Sequence, residues 1–227
     1  MNANKYYTEK LSATHLKRCY TLAPLRVKQY LQTEIEHVIQ KIQPQDRILE
    51  LGCGYGRVLH RLAEKAGFAV GIDTSYDSLL FGRETFTSIS NCSWLQMNAL
   101  HLGFPDSVFD RVICIQNGIS AFHGDQKALI KESLRVARPG GVVLFSTYSD
   151  RFWEDRLEWF RMQSEAGLLG RIDEERTGNG VIVCEDGFKA TTVGAEEFLS
   201  MTSGMDVTTA IEEVDGSSLF CEMIKNK

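Results

Sequence analysis

Ile48-Leu49-Glu50-Leu51-Gly52-Cys53-Gly54-Tyr55-Gly56-Arg57 is the stretch of this 227-residue chain from which its fold is read. The apolar run Asp46–Leu51, bounded by Pro44 and Gly52, predicts a short buried strand. Val58, Leu59, Leu62, Ala63 and Ala66 follow at helical spacing and predict a helix closed by Gly67 as its C-cap. Between the two, glycines at every second position let the chain turn tightly and bring bare backbone close to a ligand. The new helix then offers that ligand its free N–H groups. A dinucleotide fingerprint would place its third glycine where Arg57 stands, so that spacing fails. Glu50, directly before the glycines, would repel a pyrophosphate and suits a cationic ammonium.

Outward from this turn, strands and helices alternate. Phe68–Ile72 reads as a strand ending at Asp73, 17 positions beyond Gly56. That is close to the spacing at which an acid accepts both hydroxyls of a ribose; a helix N-cap for the segment from Ser75 is the other reading. Then come a helix (Tyr76–Phe86), strands at Cys92–Gln96 and Asp110–Ile115, and a helix (Asp125–Ala137) stopped by Pro139-Gly140-Gly141. A strand over Val142–Thr147 completes the series. This order indicates βαβ units and a parallel sheet, and the unbroken runs Val112–Ile115 and Val142–Phe145 suit strands covered on both faces. Upstream, Val27, Tyr30, Leu31, Ile35, Val38, Ile39 and Ile42 describe an amphipathic helix ending before Pro44. Past residue 150 an aromatic helix (Phe152, Trp153, Trp159, Phe160) runs to Gly167; its stripe reads as core ahead of substrate cage, and an exposed helix there could support a dimer. Asp186-Gly187 and Asp215-Gly216 signal two hairpins in an antiparallel tail. One domain accounts for 1–227: a helical extension (1–44), a ligand-binding core (45–148), and a substrate-side helix with antiparallel strands (149–227).

Composition narrows the function. A hydrophobic fraction of 43% and a charged fraction of 24% are those of a soluble globular protein. The net charge of -5, with no Lys/Arg cluster longer than Lys17-Arg18, disfavours nucleic acid and favours a small-molecule partner. The six cysteines include no Cys-x-x-Cys pair, so no metal site is expected and buried thiols are. The polar start and the lack of any 18-residue apolar run point to a cytoplasmic protein without a membrane partner, as monomer or homodimer.

Four motifs carry a family resemblance: Glu50–Gly56, Gly71-Ile72-Asp73, Phe104–Asp110 and Leu134–Gly141. Together, in this order, they resemble class I methyltransferases of the UbiE-like or "type 11" kind over roughly residues 45 to 148. The resemblance implies a Rossmann-like, doubly wound α/β fold, with a seven-stranded sheet whose last strand is antiparallel. It implies S-adenosylmethionine as cofactor and S-adenosylhomocysteine as product. Glu50, Gly52, Cys53, Gly54 and Gly56 would lie near the methionine part, with Asp73 and Thr74 at the ribose. Asn98-Ala99 stands where relatives place an acid and a small residue beside the adenine, and an amide oxygen can still accept from the adenine amino group. Gln116 and Asn117 would lie near the sulfonium.

The implied activity is methyl transfer to an N, O, S or C atom of a small molecule. The alternatives are a protein or RNA methyltransferase and a non-catalytic cofactor-binding module. No catalytic residue is evident. His123 and Tyr148, each following a strand, and Tyr20, in the extension, are candidates, with packing or capping as the bland role for each. Tyr7, Tyr20, Arg26, Asn117 and Trp153 are candidates for touching substrate, the extension acting as a lid with rings suited to a dry pocket.

Overall fold

The computed structural model describes residues 12–227; Tyr7 lies outside them. Strands β1 (Arg47–Leu51), β2 (Phe68–Asp73), β3 (Cys92–Gln96), β4 (Phe109–Cys114) and β5 (Ala137–Tyr148) pair in parallel. The tail adds β8 (Val207–Val214) and β9 (Ser218–Lys225), giving a seven-stranded sheet of order β3-β2-β1-β4-β5-β9-β8. Strand β9 is antiparallel to both neighbours, β5 and β8. A two-stranded ribbon, β6 (Ile182–Val183) with β7 (Lys189–Ala190), stands apart from it. The order reverses between β1 and β4, the place where open α/β sheets bind ligands beyond their strands' carboxyl ends.

Both faces of the sheet are covered, as the unbroken apolar runs require. Along β4, Val112 and Cys114 enter one core, while Ile113 packs in a second. This is the two-residue period of a strand. The first core takes in α6 (Gln126–Val136) through Leu129, Ile130 and Leu134, and α8 (Ala195–Thr202) through Phe198. The second takes in α2 (Leu25–Ile39) through Ile35 and Val38, and α3 (Leu59–Ala63) through Leu59 and Leu62. A third core gathers α1 (Ala13–Thr21), the start of α2, α7 (Trp153–Glu165) and the β6–β7 ribbon. Two short elements complete the core's helices, α4 (Tyr76–Thr85) and α5 (Gly118–Ala121).

Four expectations need correction. Gly67 is not a left-handed cap; it sits where a Cβ would meet the backbone of Pro44 and Gln45, at 3.1–3.2 Å, and its N–H donates to the Asp46 carbonyl. The tail also contains a helix, α8, that its hairpin signals did not suggest. The aromatic stripe is core, as its leading reading has it, and the suggested exposed dimer face is absent there: Phe152, Trp159 and Phe160 are buried where α1 and the β6–β7 ribbon close over them. Arg26, a candidate for substrate, instead clamps α2 onto the β8–β9 turn. Its guanidinium bonds the Asp215 carboxylate at 2.6 Å and stacks 5.1 Å from the Phe152 ring. Asp215 and Gly216 both have positive φ, as the central residues of a turn that the Ser217 N–H closes on the Val214 carbonyl, in a three-residue loop between Val214 and Ser218.

The glycine turn after β1 is shaped as much by the protein as by a ligand. Gly52, Gly54 and Gly56 have φ of 71°, 53° and 81°. A Cβ on Gly56 would lie 1.8 Å from the Trp94 ring, which fills the space between this turn and Gly82 of α4. Left-handed strain and overpacking both oppose a side chain there. Gly56→Ala is therefore expected to cost about 2–4 kcal/mol of stability without any ligand present. Urea unfolding followed by tryptophan fluorescence measures it; a loss under about 1 kcal/mol would mean that Trp94 yields easily.

Candidate functional site

The carboxyl ends of the five parallel strands present one residue each along the edge of the sheet. In spatial order these are Asn98 past β3, Asp73 ending β2, Glu50 in β1, Gln116 past β4 and Tyr148 ending β5, and all line one cavity of about 330 Å³. Strands lie about 4.8 Å apart, so the row spans roughly 19 Å. Sheet topology, more than local sequence, thus strings these side chains into an extended ligand track.

At its centre Asp73 joins two turns. One carboxylate oxygen accepts the Gly54 N–H and the other the Ser75 N–H, both at 2.8 Å. Burial nonetheless raises its pKa, these donors working against that shift. The N-cap of α4 is Ser75, whose hydroxyl accepts from the Ser78 N–H, so Asp73 is left to face the cavity. Glu50 is only 4% exposed, and its Oε2 has no hydrogen-bond partner. Burial pushes its carboxyl up to about 8, Arg57 pulling it down and Asp73 pushing it further up. A buried carboxylate oxygen without a donor is costly, and a ligand ammonium would complete it. The residues therefore fit S-adenosylmethionine: an acid for the ammonium, an acid at the ribose position, and exposed backbone between them.

Asn98 and Ala99 line the far end, where Asn98 Oδ1 already accepts the Leu100 N–H at 3.0 Å and keeps a second lone pair. Cys53 and Thr74 also line the cavity. Past β4, Gln116 and Asn117 both adopt left-handed conformations, at φ 60° and 61°. Asn117 is pinned there by Thr147 Oγ1, which donates to its Oδ1, and by its own Nδ2, which donates to the Thr191 carbonyl, each at 2.8 Å. Gln116 Oε1 accepts from the Arg57 guanidinium, which lies over the Tyr20 ring at 4.3 Å.

Of the catalytic candidates, Tyr20 and Tyr148 line the cavity. Burial raises the pKa of the Tyr20 phenol and pushes that of Tyr148 up to about 12. His123 is exposed and stands off the cavity; its neighbour Phe122 lines it. Trp153 does not reach the cavity either. The aromatic wall comes from Trp159 and Phe160 of α7 and from Phe188, with Gln163 as its polar member. Helix α1 roofs the site: Leu16 stands over Gly54, the Ala13 N–H donates to Ser78 Oγ, and the Trp159 indole donates to the Cys19 carbonyl. Arg57 and Leu16 were not recognised in the sequence as site residues.

Residues 48–141 match a sequence family described as a methyltransferase domain. The chain is 32% identical over 124 residues to the fatty-acid O-methyltransferase of Mycolicibacterium smegmatis, covering 54% of this chain and 43% of that one. It is 28% identical over 148 residues to the 2-methyl-6-phytyl-1,4-hydroquinone methyltransferase of a Synechocystis species, covering 58% and 46%. The chain spans less than half the length of these curated relatives. Among solved structures, the N-methyltransferase NodS of Bradyrhizobium japonicum with S-adenosylhomocysteine superimposes with a TM-score of 0.64 at 14% identity, over 100% of both chains. A Pyrococcus horikoshii protein superimposes with a TM-score of 0.65 at 21% identity, over 98% of this chain and 96% of that one. At these identities the likeness is one of fold.

The Glu50 environment has a measurable consequence. An acid whose folded pKa is raised keeps its proton at pH 7, and pairing with an ammonium ionises it. Binding of S-adenosylhomocysteine at pH 7 is expected to release protons, up to about one per site. Titration calorimetry in buffers of different ionisation enthalpy reads this directly. Heats independent of buffer would mean that Glu50 is already ionised.

Proposed function

We propose that this chain, whose residues 48–141 match a methyltransferase-domain family, is an S-adenosylmethionine-dependent methyltransferase that transfers a methyl group to a small molecule with an apolar or aromatic body. The single observation that carries this reading is the composition of the cavity beyond Gln116: Tyr20, Tyr148, Trp159, Phe160 and Phe188 with Leu31 and Ala190. The two curated relatives named for a fatty acid and for a phytyl hydroquinone have apolar acceptors in their names, which agrees with it.

Bound S-adenosylmethionine supplies a methyl carbon activated by the sulfonium charge. The chain's own part is to hold, align and keep dry. Glu50 would take the ammonium, Asp73 the ribose hydroxyls, Asn98 and Ala99 the adenine, and the glycine turn with Gln116 the part between. Among the described residues the cavity carries no histidine and no carboxylate besides Glu50 and Asp73. Its phenols have raised pKa values, and the Cys19 thiol is pushed up by burial to about 12. None of these groups takes a proton readily at neutral pH. The acceptor therefore brings a nucleophile that is already free, such as an ionised acid or a neutral amine. The acidic net charge of -5 agrees with a small ligand rather than a nucleic acid.

Titration calorimetry with S-adenosylmethionine, S-adenosylhomocysteine and NAD tests the cofactor half, with micromolar binding expected for the adenosyl compounds and none for NAD. Asp73→Asn is expected to weaken S-adenosylhomocysteine binding by about 1–3 kcal/mol, the cost of losing one charged acceptor. Methyl transfer from labelled cofactor to a panel of fatty acids, quinols and aryl amines tests the acceptor half. Tight cofactor binding with no transfer to any of them, but transfer to protein or RNA from a lysate, would sink the small-molecule reading. Binding with no transfer at all would favour the non-catalytic module.

A further inference from the structure

Arginines that fasten this fold pair with acids. Arg135 donates to Glu132 and Asp106 and to the carbonyls of Leu102 and Phe104, at 2.7–2.9 Å. Arg111 meets Asp46 at 2.6 Å, and Arg26 meets Asp215 at the same distance. Arg57, directly after the glycine turn, breaks this rule. Its partners among the described residues are an amide and a ring: it donates to Gln116 Oε1, and its guanidinium lies 4.3 Å from the centre of the Tyr20 ring. Its Nε is buried without a hydrogen-bond partner among those residues, and a buried N–H left without an acceptor is costly. Two acids are close by, since Glu50 and Asp73 line the same cavity. Arg57 draws the Glu50 carboxyl toward its ionised form through space, yet Glu50 Oε2 is without a partner too.

The surroundings hold the guanidinium in this pose. Gln116 is fixed through its own N–H, which Glu34 Oε2, buried in α2, accepts at 2.7 Å and Ser146 Oγ at 2.8 Å. Tyr20 is flanked in turn by Tyr55 and Trp159, at ring-centre distances of 6.3 Å and 6.2 Å. Stacking on Tyr20 occupies one face of the guanidinium and leaves its in-plane donors for an acceptor. The side chain is half-buried and lines the cavity, so a bound ligand comes within its reach. Among the described residues it is the one lysine or arginine that does so. The cavity thus offers an anionic ligand group a single held cation, seated between the strand-end track and the aromatic wall.

We propose that Arg57 is the carboxylate-binding residue of this cavity, the group that receives the acid end of a bound ligand. This rests on the methyltransferase reading above, which supplies two sources of such an acid: the amino-acid end of the cofactor, and an acidic acceptor whose apolar body lies on the aromatic wall. In either case the carboxylate oxygens meet the guanidinium donors in a charge-assisted pair. A neutral amide of the same shape has no charge to offer that pair. Glu50 and Arg57 then divide the ligand's charges, the acid taking a cationic group and the cation an anionic one. That division accounts for two opposite charges that line one cavity and leave each other unpaired.

The test compares ligands that differ only in the carboxylate, by calorimetry on the native chain, Arg57→Gln and Arg57→Lys. One pair is S-adenosylhomocysteine and its decarboxylated form. The other is octanoate and octanamide, each added to the S-adenosylhomocysteine complex. The native chain is expected to prefer the carboxylate member of at least one pair by about ten- to a hundredfold, the worth of a charge-assisted hydrogen bond, and Arg57→Gln to abolish that preference. A preference in the first pair identifies the cofactor's acid as the partner, and one in the second pair the acceptor's. Arg57→Lys keeps the charge without the fork and is expected to lose about threefold or more of the same preference, which decides the matter if Arg57→Gln does not fold. A residue that only braces Tyr20 and Gln116 would, once replaced, weaken both members of a pair together and leave their ratio unchanged; that result overturns the proposal. A native chain with no preference in either pair overturns it as well. No binding of S-adenosylhomocysteine or its decarboxylated form overturns the cofactor reading itself, an outcome distinct from equal binding of the two.

Discussion

The Asp73 carboxylate is the interaction on which the site depends, because it ties two turns that sequence alone leaves independent. One oxygen takes the N–H of Gly54, from the turn after β1, and the other that of Ser75, from the turn after β2. Backbone N–H groups left unpaired in a buried turn are costly, so the clasp fixes the left-handed glycine turn against the neighbouring strand. That in turn sets where Glu50 and Arg57 stand. Glu50 is left with a buried oxygen and no donor, and Arg57 is directed toward Gln116 and the Tyr20 ring. A single acid thus holds the glycine turn in place and faces the cavity beside it.

Much of the cavity edge was legible because its chemistry is local. Glu50, Gly52, Gly54 and Asp73, which line the cavity while Gly56 does not, sit at turns whose residue types are dictated within a few positions, by backbone geometry and by the strand ends. The alternating strands and helices were legible for the same reason, as was the Asp215-Gly216 hairpin. The role of Gly56 was only half visible: its positive φ follows from the turn, but the ring that occupies its missing Cβ comes from Trp94, 38 positions later. Such a contact leaves no periodic trace.

The opposite wall was harder to read. Trp159 and Phe160 stood out as an aromatic stripe, yet core packing and cavity lining produce the same stripe, and here they coincide. Trp153, on the same helix, does not line the cavity. Arg26 suggested a cation for substrate and serves instead to fasten a hairpin from the far end of the chain. Glu34 did leave a signal. It interrupts the apolar stripe of α2 at a position that the helical period places inward, between Leu31 and Ile35. An acid at a core position is the sequence-level mark of a buried polar task, and the amphipathic pattern around it conceals that mark.

The strand order has a consequence for biosynthesis. Strand β9 is made after β8 but lies between β8 and β5. Until synthesis reaches Lys225, the nascent chain carries β5 with one edge unpaired, and β8 has no place in the sheet. An open edge of buried-type residues is an adhesive surface for other chains. Strand β9 joins the β5 edge and carries β8 with it, so the finished edge is β8, whose exposed residues include Thr208, Glu212 and Glu213. The open β5 edge that precedes this step is the place where the topology invites pairing with another chain.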